Sequence, residues 1–176
     1  MMHLPINDVV WYAGRVKYRT EKKIKSFLED KAIEHFIPFQ TVVRERNGKK
    51  VRRERPEIPC LVFVRTDYRT ALSIPAESGF SVSYIKNMET KKVQIIPDKQ
   101  MQDFMFLLDF SGSTFRVENA NLKRGDRVRV IKGSFAGIEG ELIRVKGHKR
   151  VVVRLEGIFS IVTTYIPGEY LERISC

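Results

Sequence analysis

The sequence predicts an α+β chain in two parts, a sandwich of helices over an antiparallel-rich sheet followed by a small all-β barrel. Helix-spaced and strand-spaced apolar runs alternate up to Leu108, whereas from Gly125 onward only strand-spaced runs remain. Between them, Ser111 to Ala120 follows a helix stop and separates regions of different periodicity. The parts are therefore expected at 1–111 and 121–176, with a linker at 112–120.

In the first part Val9 to Val16 reads as a strand, and Thr20 is placed to cap a helix from Glu21 in which Ile24, Phe27, Leu28 and Ala32 share one side. Glu34 to Val43 is extended. Asn47-Gly48 predicts a tight hairpin turn with a return strand from Val51, limited by Pro56 and Pro59. Leu61 to Val64 is a central strand, followed by a short helix from Tyr68 to Ile74 and an extended stretch from Ser81 to Ile85. A last helix after Pro97 carries Met101, Phe104, Met105 and Leu108 in a 3.6-residue rhythm and ends at Ser111-Gly112-Ser113.

The second part opens with Gly125 to Gly140, GDRVRVIKGSFAGIEG. Val128 and Val130 alternate with Arg127 and Arg129, and glycines at 133, 137 and 140 permit a tight loop. Further strands are expected at Glu141 to Val145, Arg150 to Leu155, Ile158 to Ile166 and Tyr170 to Ile174, the first two joined by a four-residue turn at 146–149.

The composition bounds the function. The formal charge of +11 and pI near 9.8 imply an anionic partner, for which nucleic acid is the commonest choice. Without an apolar run of membrane length or a basic, apolar leader, neither a membrane partner nor export is indicated, and a cytoplasmic location is expected. Cys60 and Cys176 offer neither a CxxC nor a disulfide framework, so no metal and no cofactor is expected. His3, His35 and His148 are scattered, and no catalytic motif holds together, which argues against an enzyme. Asp98 and Asp103, five apart on the last helix, do not share a face and read as a cap or solvated charges.

The glycine-rich stretch resembles the KOW motif, GDxVxVxxGPFxGxxGxV, with Ser134 in the proline place and Leu142 two places past Gly140. Trp11-Tyr12-Ala13, the helix opening Glu21-Lys22-Lys23, and Ile58-Pro59-Cys60-Leu61-Val62-Phe63-Val64 are similar to the WYxV, the lysine-rich first helix and the FPGYxFV of the NusG N-terminal domain. The likeness covers nearly the whole chain and, in the tail from Arg144 to Ile174, looks closest to specialised UpxY-type antiterminators of capsular polysaccharide operons. It implies a NusG N-terminal-type domain joined to a KOW barrel, and a monomer that binds the clamp helices of bacterial RNA polymerase and suppresses pausing or termination.

Carried over by position, Trp11, Ile58 and Leu61 become candidate polymerase-docking residues, with core packing the alternative reading of Trp11 and Leu61. Lys17, Arg19 and Lys22 fall where specialised members meet the non-template DNA strand. In the hairpin, Arg44, Arg46, Lys49, Lys50, Arg52, Arg53 and Arg55 outnumber Glu45, Glu54 and Glu57, so the arm is a candidate DNA contact or else a charged edge that resists aggregation. In the KOW part, between 121 and 155, Lys123, Arg124, Arg127, Arg129, Lys132, Arg144, Lys146, Lys149, Arg150 and Arg154 face only Asp126, Glu139 and Glu141. With Phe135 in the first aromatic place and Glu156 in the second, contact through Arg127, Arg129, Lys132, Phe135, Lys146, Lys149 and Arg150 with nascent RNA or a further protein partner is expected, Phe159 and Tyr165 being additional aromatics. The competing readings are a ribosomal-type KOW RNA-binding protein and a general NusG-like elongation factor.

Overall fold

The computed structural model describes residues 8–109, 116–118, 125–155 and 157–174, and divides after Ile96 into compact units of residues 1–96 and 97–176. The first unit runs β1 (Val10–Val16), α1 (Glu21–Asp30), β2 (Glu34–Phe36), β3 (Phe39–Arg46), β4 (Lys49–Pro56), β5 (Leu61–Thr66), α2 (Tyr68–Ser78), β6 (Val82–Tyr84) and β7 (Ile95–Ile96). β1 pairs antiparallel with β5 from Val10 opposite Thr66 to Arg15 opposite Leu61, and its other edge takes both β6 and β7. β2 extends the sheet beyond β5.

Strand alternation sends Tyr12, Val16, Val62 and Val64 to one face, where they pack with Ile24 and Leu28 of α1 and Ala71 and Ile74 of α2. Each fully buried aliphatic side chain of this kind contributes about 1.5–3 kcal/mol. This layer is the predicted helix-on-sheet core. Several details differ from expectation. Thr20 does not cap α1: its hydroxyl donates to the Lys17 carbonyl, closing the turn out of β1 instead. Ala32 lies past the end of α1 with φ of 53°. The extended stretch from Glu34 is cut into β2 and β3, with Pro38, which has no N–H, in the break; its carbonyl accepts from Glu57 N–H at 2.8 Å. α2 continues past Ile74 through Pro75 to Ser78.

β3 and β4 form a separate two-stranded arm. Asn47 and Gly48, at φ of 52° and 72°, make the two-residue turn that needs positive φ at both positions.

The second unit runs α3 (Asp98–Asp109), β8 (Arg116–Glu118), β9 (Arg127–Val130), β10 (Glu139–Val145), β11 (His148–Leu155), β12 (Phe159–Val162) and β13 (Leu171–Arg173). Its strands form an antiparallel sheet in the order β13-β9-β10-β11-β12-β8. Val128 and Val130 are buried between exposed arginines, as their alternation predicts. Gly140 is required by close approach, since a Cβ there would stand 2.3 Å from the Val152 carbonyl oxygen. The β10–β11 turn is two residues, Lys146-Gly147, both at positive φ, so β11 begins at His148 and the expected four-residue turn is corrected.

Three further expectations change here. The division falls ahead of α3, which packs in the second unit: the Phe104 ring meets Phe159 edge-on at 6.2 Å, and Asp103 accepts from Glu139 N–H at 3.1 Å. Asp103 is buried rather than solvated, gripped by Lys99, whose Nζ also donates to the Gly137 carbonyl at 2.8 Å. Within the expected linker, 116–118 is strand β8 on β12, whereas 112–115 and 119–120 lie outside the described residues, as do Lys123, Arg124, Glu156 and Cys176. Among the described residues no helix is long and apolar enough to cross a membrane.

Candidate nucleic-acid interface

The strongest cluster of predicted residues forms where β1 turns into α1. Val16 N–H donates to the Cys60 carbonyl at 3.0 Å, and Cys60 N–H donates to Glu21 Oε1 at 3.0 Å. The buried Glu21 carboxylate thus ties the first turn of α1 to the loop entering β5. Cys60 holds φ of 62°, a left-handed conformation that glycine adopts at much lower cost, which explains why the family pattern has glycine here.

On this anchored base the turn Lys17-Tyr18-Arg19 is exposed. Arg19, at φ of 68°, sets its guanidinium 5.3 Å from the centre of the Tyr18 ring, and Tyr18 is 62% exposed. One turn along, Lys22 and Lys25 hold their Nζ atoms 5.9 and 5.6 Å from the centre of the Phe39 ring at the root of the arm. Lys22 also pairs with Glu54 at 3.1 Å, both well exposed. A groove of about 480 Å³ results, lined by Tyr18, Arg19, Lys22, Phe39, Arg53, Arg55, Pro56 and Pro59 together with the acids Glu21 and Glu54. The two basic groups separated in sequence therefore meet: Arg19 and Lys22 share one groove with Arg53. Sequence reasoning missed Tyr18 and Phe39, though Tyr18 between Lys17 and Arg19 is an aromatic interleaved with cations, the pattern of a stacking surface.

The arm sorts its charges by register. Gln40 opposes Arg55, Val42 opposes Arg53, Arg44 opposes Val51 and Arg46 opposes Lys49, so Arg44, Arg46, Lys49, Arg53 and Arg55 share one face, on which no acid lies. Lys50 and Arg52 fall on the other face with Glu45 and Glu54. Along each strand the first face repeats at about 7 Å, and opposing charges are absent from it.

The remaining candidates are dispersed. Trp11, Ile58 and Leu61 are 3%, 7% and 3% exposed. Trp11 and Leu61 alternate with the residues under α1 and α2, and Ala13 and Phe63 beside them are equally buried. Arg127 and Arg129 are exposed but both reach Glu139, Arg129 at 2.7 Å. Arg129 lowers the Glu139 carboxyl below its ordinary value, chiefly through that hydrogen bond. Lys132 and Lys146 are exposed, Phe135, Lys149 and Arg150 half-buried. Among the described residues no group of His, Cys, Asp or Glu is placed to hold a metal ion.

Fold and site define a two-unit chain with a basic, aromatic-lined groove and a charge-sorted arm. The family model for "Transcription termination factor nusG" matches residues 9–105, more than half of the sequence, and the chain belongs to the NusG family. The "Transcription termination/antitermination protein NusG" of Streptococcus pyogenes serotype M1 is 27% identical over 144 residues, covering 78% of this chain and 77% of the relative. That of Thermus thermophilus is 26% identical over 177 residues, covering 85% and 91%. A solved structure titled "Crystal Structure of MjSpt4:Spt5 complex conformation B" aligns over 94% of this chain and 97% of its own at 18% identity and a TM-score of 0.25, and no argument rests on it.

Proposed function

We propose that the chain is a transcription elongation and antitermination factor that works by binding alone: it seats its first unit on the clamp helices of bacterial RNA polymerase and holds nucleic acid in the groove between the β1–α1 turn and the arm. The observation that carries this reading is a groove that Arg19, Lys22, Arg53 and exposed Tyr18 line together in a member of the NusG family. Cations neutralise phosphates and aromatic faces stack on unpaired bases, so the groove suits the single non-template strand of a transcription bubble. The arm's acid-free face suits upstream duplex, where phosphate contacts add affinity without reading sequence.

The second unit is read as the KOW domain, its loop carrying Gly133, Phe135 and Gly137 at the motif's spacing. On the resemblance of its tail to UpxY-type members, the factor is read as serving particular surface polysaccharide operons, in the cytoplasm. A general NusG-like role is the second reading, favoured by the extent of the match to bacterial NusG proteins.

The test is titration of the full chain against reconstituted elongation complexes with and without an exposed non-template strand. Saturable binding that weakens severalfold when that strand is removed supports the reading. Binding to neither complex, with tight binding to structured RNA, replaces it with a ribosomal-type role.

A further inference from the structure

A second aromatic and basic cluster lies at the β10–β11 hairpin. The rings of His148 and Tyr165 meet edge to face at 5.5 Å and 72°, and both residues are exposed, Tyr165 by 55%. An exposed tyrosine on a loose loop would mean little, but this one is held from both sides. Thr163, fully buried, donates its N–H to the Val151 carbonyl and accepts Val151 N–H on Oγ1, each at 2.9 Å, and Ile166 N–H donates to the Lys149 carbonyl at 3.0 Å. The backbone flanking Tyr165 is thus stitched to β11, so its ring is positioned before any ligand arrives and little ordering entropy remains to oppose binding.

The hairpin strand and turn carry charge of one sign. From Leu142 to Leu155 the chain carries Arg144, Lys146, Lys149, Arg150 and Arg154 and no acid. Arg154 pairs with Glu141 at 3.2 Å, whereas the other four make no ion pair among the described residues. His148 and Arg150, two apart on β11, share a face of the sheet. Arg150 Nε is enclosed and has no acceptor among the described residues.

We propose that His148 and Tyr165, with Lys146 and Arg150, form a second site that takes an unpaired base of a single-stranded nucleic acid together with its flanking phosphates. The rings offer a stacking face, which a duplex with its bases already stacked cannot use, and the cations take the phosphates. The site stands on the second unit alone and binds a strand whether or not the polymerase reading holds.

The experiment uses the full chain with Tyr18→Ala, so that the first unit's groove does not mask the result, and fluorescence anisotropy with a short uridine oligomer, the matching thymidine oligomer and a duplex. Adding Tyr165→Ala is expected to weaken single-strand binding about tenfold, the order that stacking gives. Tyr165→Phe, which keeps the ring, is expected to leave it unchanged with an unaltered melting curve. Tighter binding of the uridine oligomer assigns the site to RNA, and equal binding assigns it to either strand. In the chain with Tyr18 intact, 5-iodouridine in the oligomer is expected to photocross-link to the peptides containing His148 or Tyr165. Unchanged affinity on adding Tyr165→Ala, or cross-links confined to residues 17–22, would overturn the proposal and leave the aromatic pair to a protein partner.

Discussion

Tyr84 donates its phenolic proton to the Ala71 carbonyl at 2.7 Å. Ala71 is four residues before Pro75, which lies inside α2 and has no N–H to return. The tyrosine thus satisfies the carbonyl that the proline orphans, and burial raises the pKa of its phenol, keeping it a donor at neutral pH. Tyr84→Phe is expected to cost about 1–2 kcal/mol, the penalty of an unsatisfied buried group. Because Pro75→Ala restores a donor to Ala71, the same change should cost less in that background. Urea unfolding followed by fluorescence of Trp11, the sole tryptophan, reads both in a double-mutant cycle.

The Glu21 to Cys60 bond makes two predictions of opposite sign. Glu21→Ala removes the acceptor of a partly buried N–H and should destabilise the first unit by about 1–3 kcal/mol, and Glu21→Gln by less. Cys60→Gly relieves a left-handed φ and should stabilise by about 0.5–1 kcal/mol. The same Trp11 signal, as a shift in unfolding midpoint at constant slope, checks each.

How much of this was legible in the sequence depended on whether the physics was local. Asn47-Gly48 announced the arm because only a few residue types accept positive φ twice, and Val128 and Val130 announced β9 through their period. Lys146-Gly147 uses the same turn but hid behind a lysine. The stop expected at Ile74 was a sound local reading that a distant tyrosine overrides. Asp103 looked solvated because nothing nearby in sequence reveals Glu139 N–H or the Gly137 carbonyl beside Lys99. In the site, the basic residues were legible from composition. The pairing of Arg19 and Lys22 with Arg53, the segregation of the arm's charges and the burial of Trp11, Ile58 and Leu61 all depend on register or long-range packing.

The arm's register predicts a face-specific salt effect. Replacing Arg44 and Arg46 by glutamine should reduce the slope of log affinity against log salt for duplex DNA by about 0.9 for each phosphate that is no longer neutralised. Replacing Lys50 and Arg52, on the face with Glu45 and Glu54, should change it much less although the net charge removed is identical. Anisotropy titrations over a range of salt concentrations separate the two.

Acid should loosen the second unit at one identifiable ion pair. Arg129 lowers the Glu139 carboxyl below its ordinary value of 4.5, so the pair's contribution is fully present above that pH and is lost as pH falls through the lower folded value. Because the Arg129 side is open to solvent, screening keeps the effect small. Thermal unfolding from neutral to acidic pH should show a steeper loss in the native chain than in Arg129→Gln.

The central claim is that the groove beside Tyr18 acts on transcription. The most direct measurement is single-round transcription by bacterial RNA polymerase across an intrinsic terminator, with the native chain and with Arg19→Gln combined with Lys22→Gln. Increased read-through by the native chain, largely lost in the double variant while that variant stays folded and polymerase-bound, is the predicted result. Read-through that is unaffected by the native chain, or raised equally by both proteins, would contradict it.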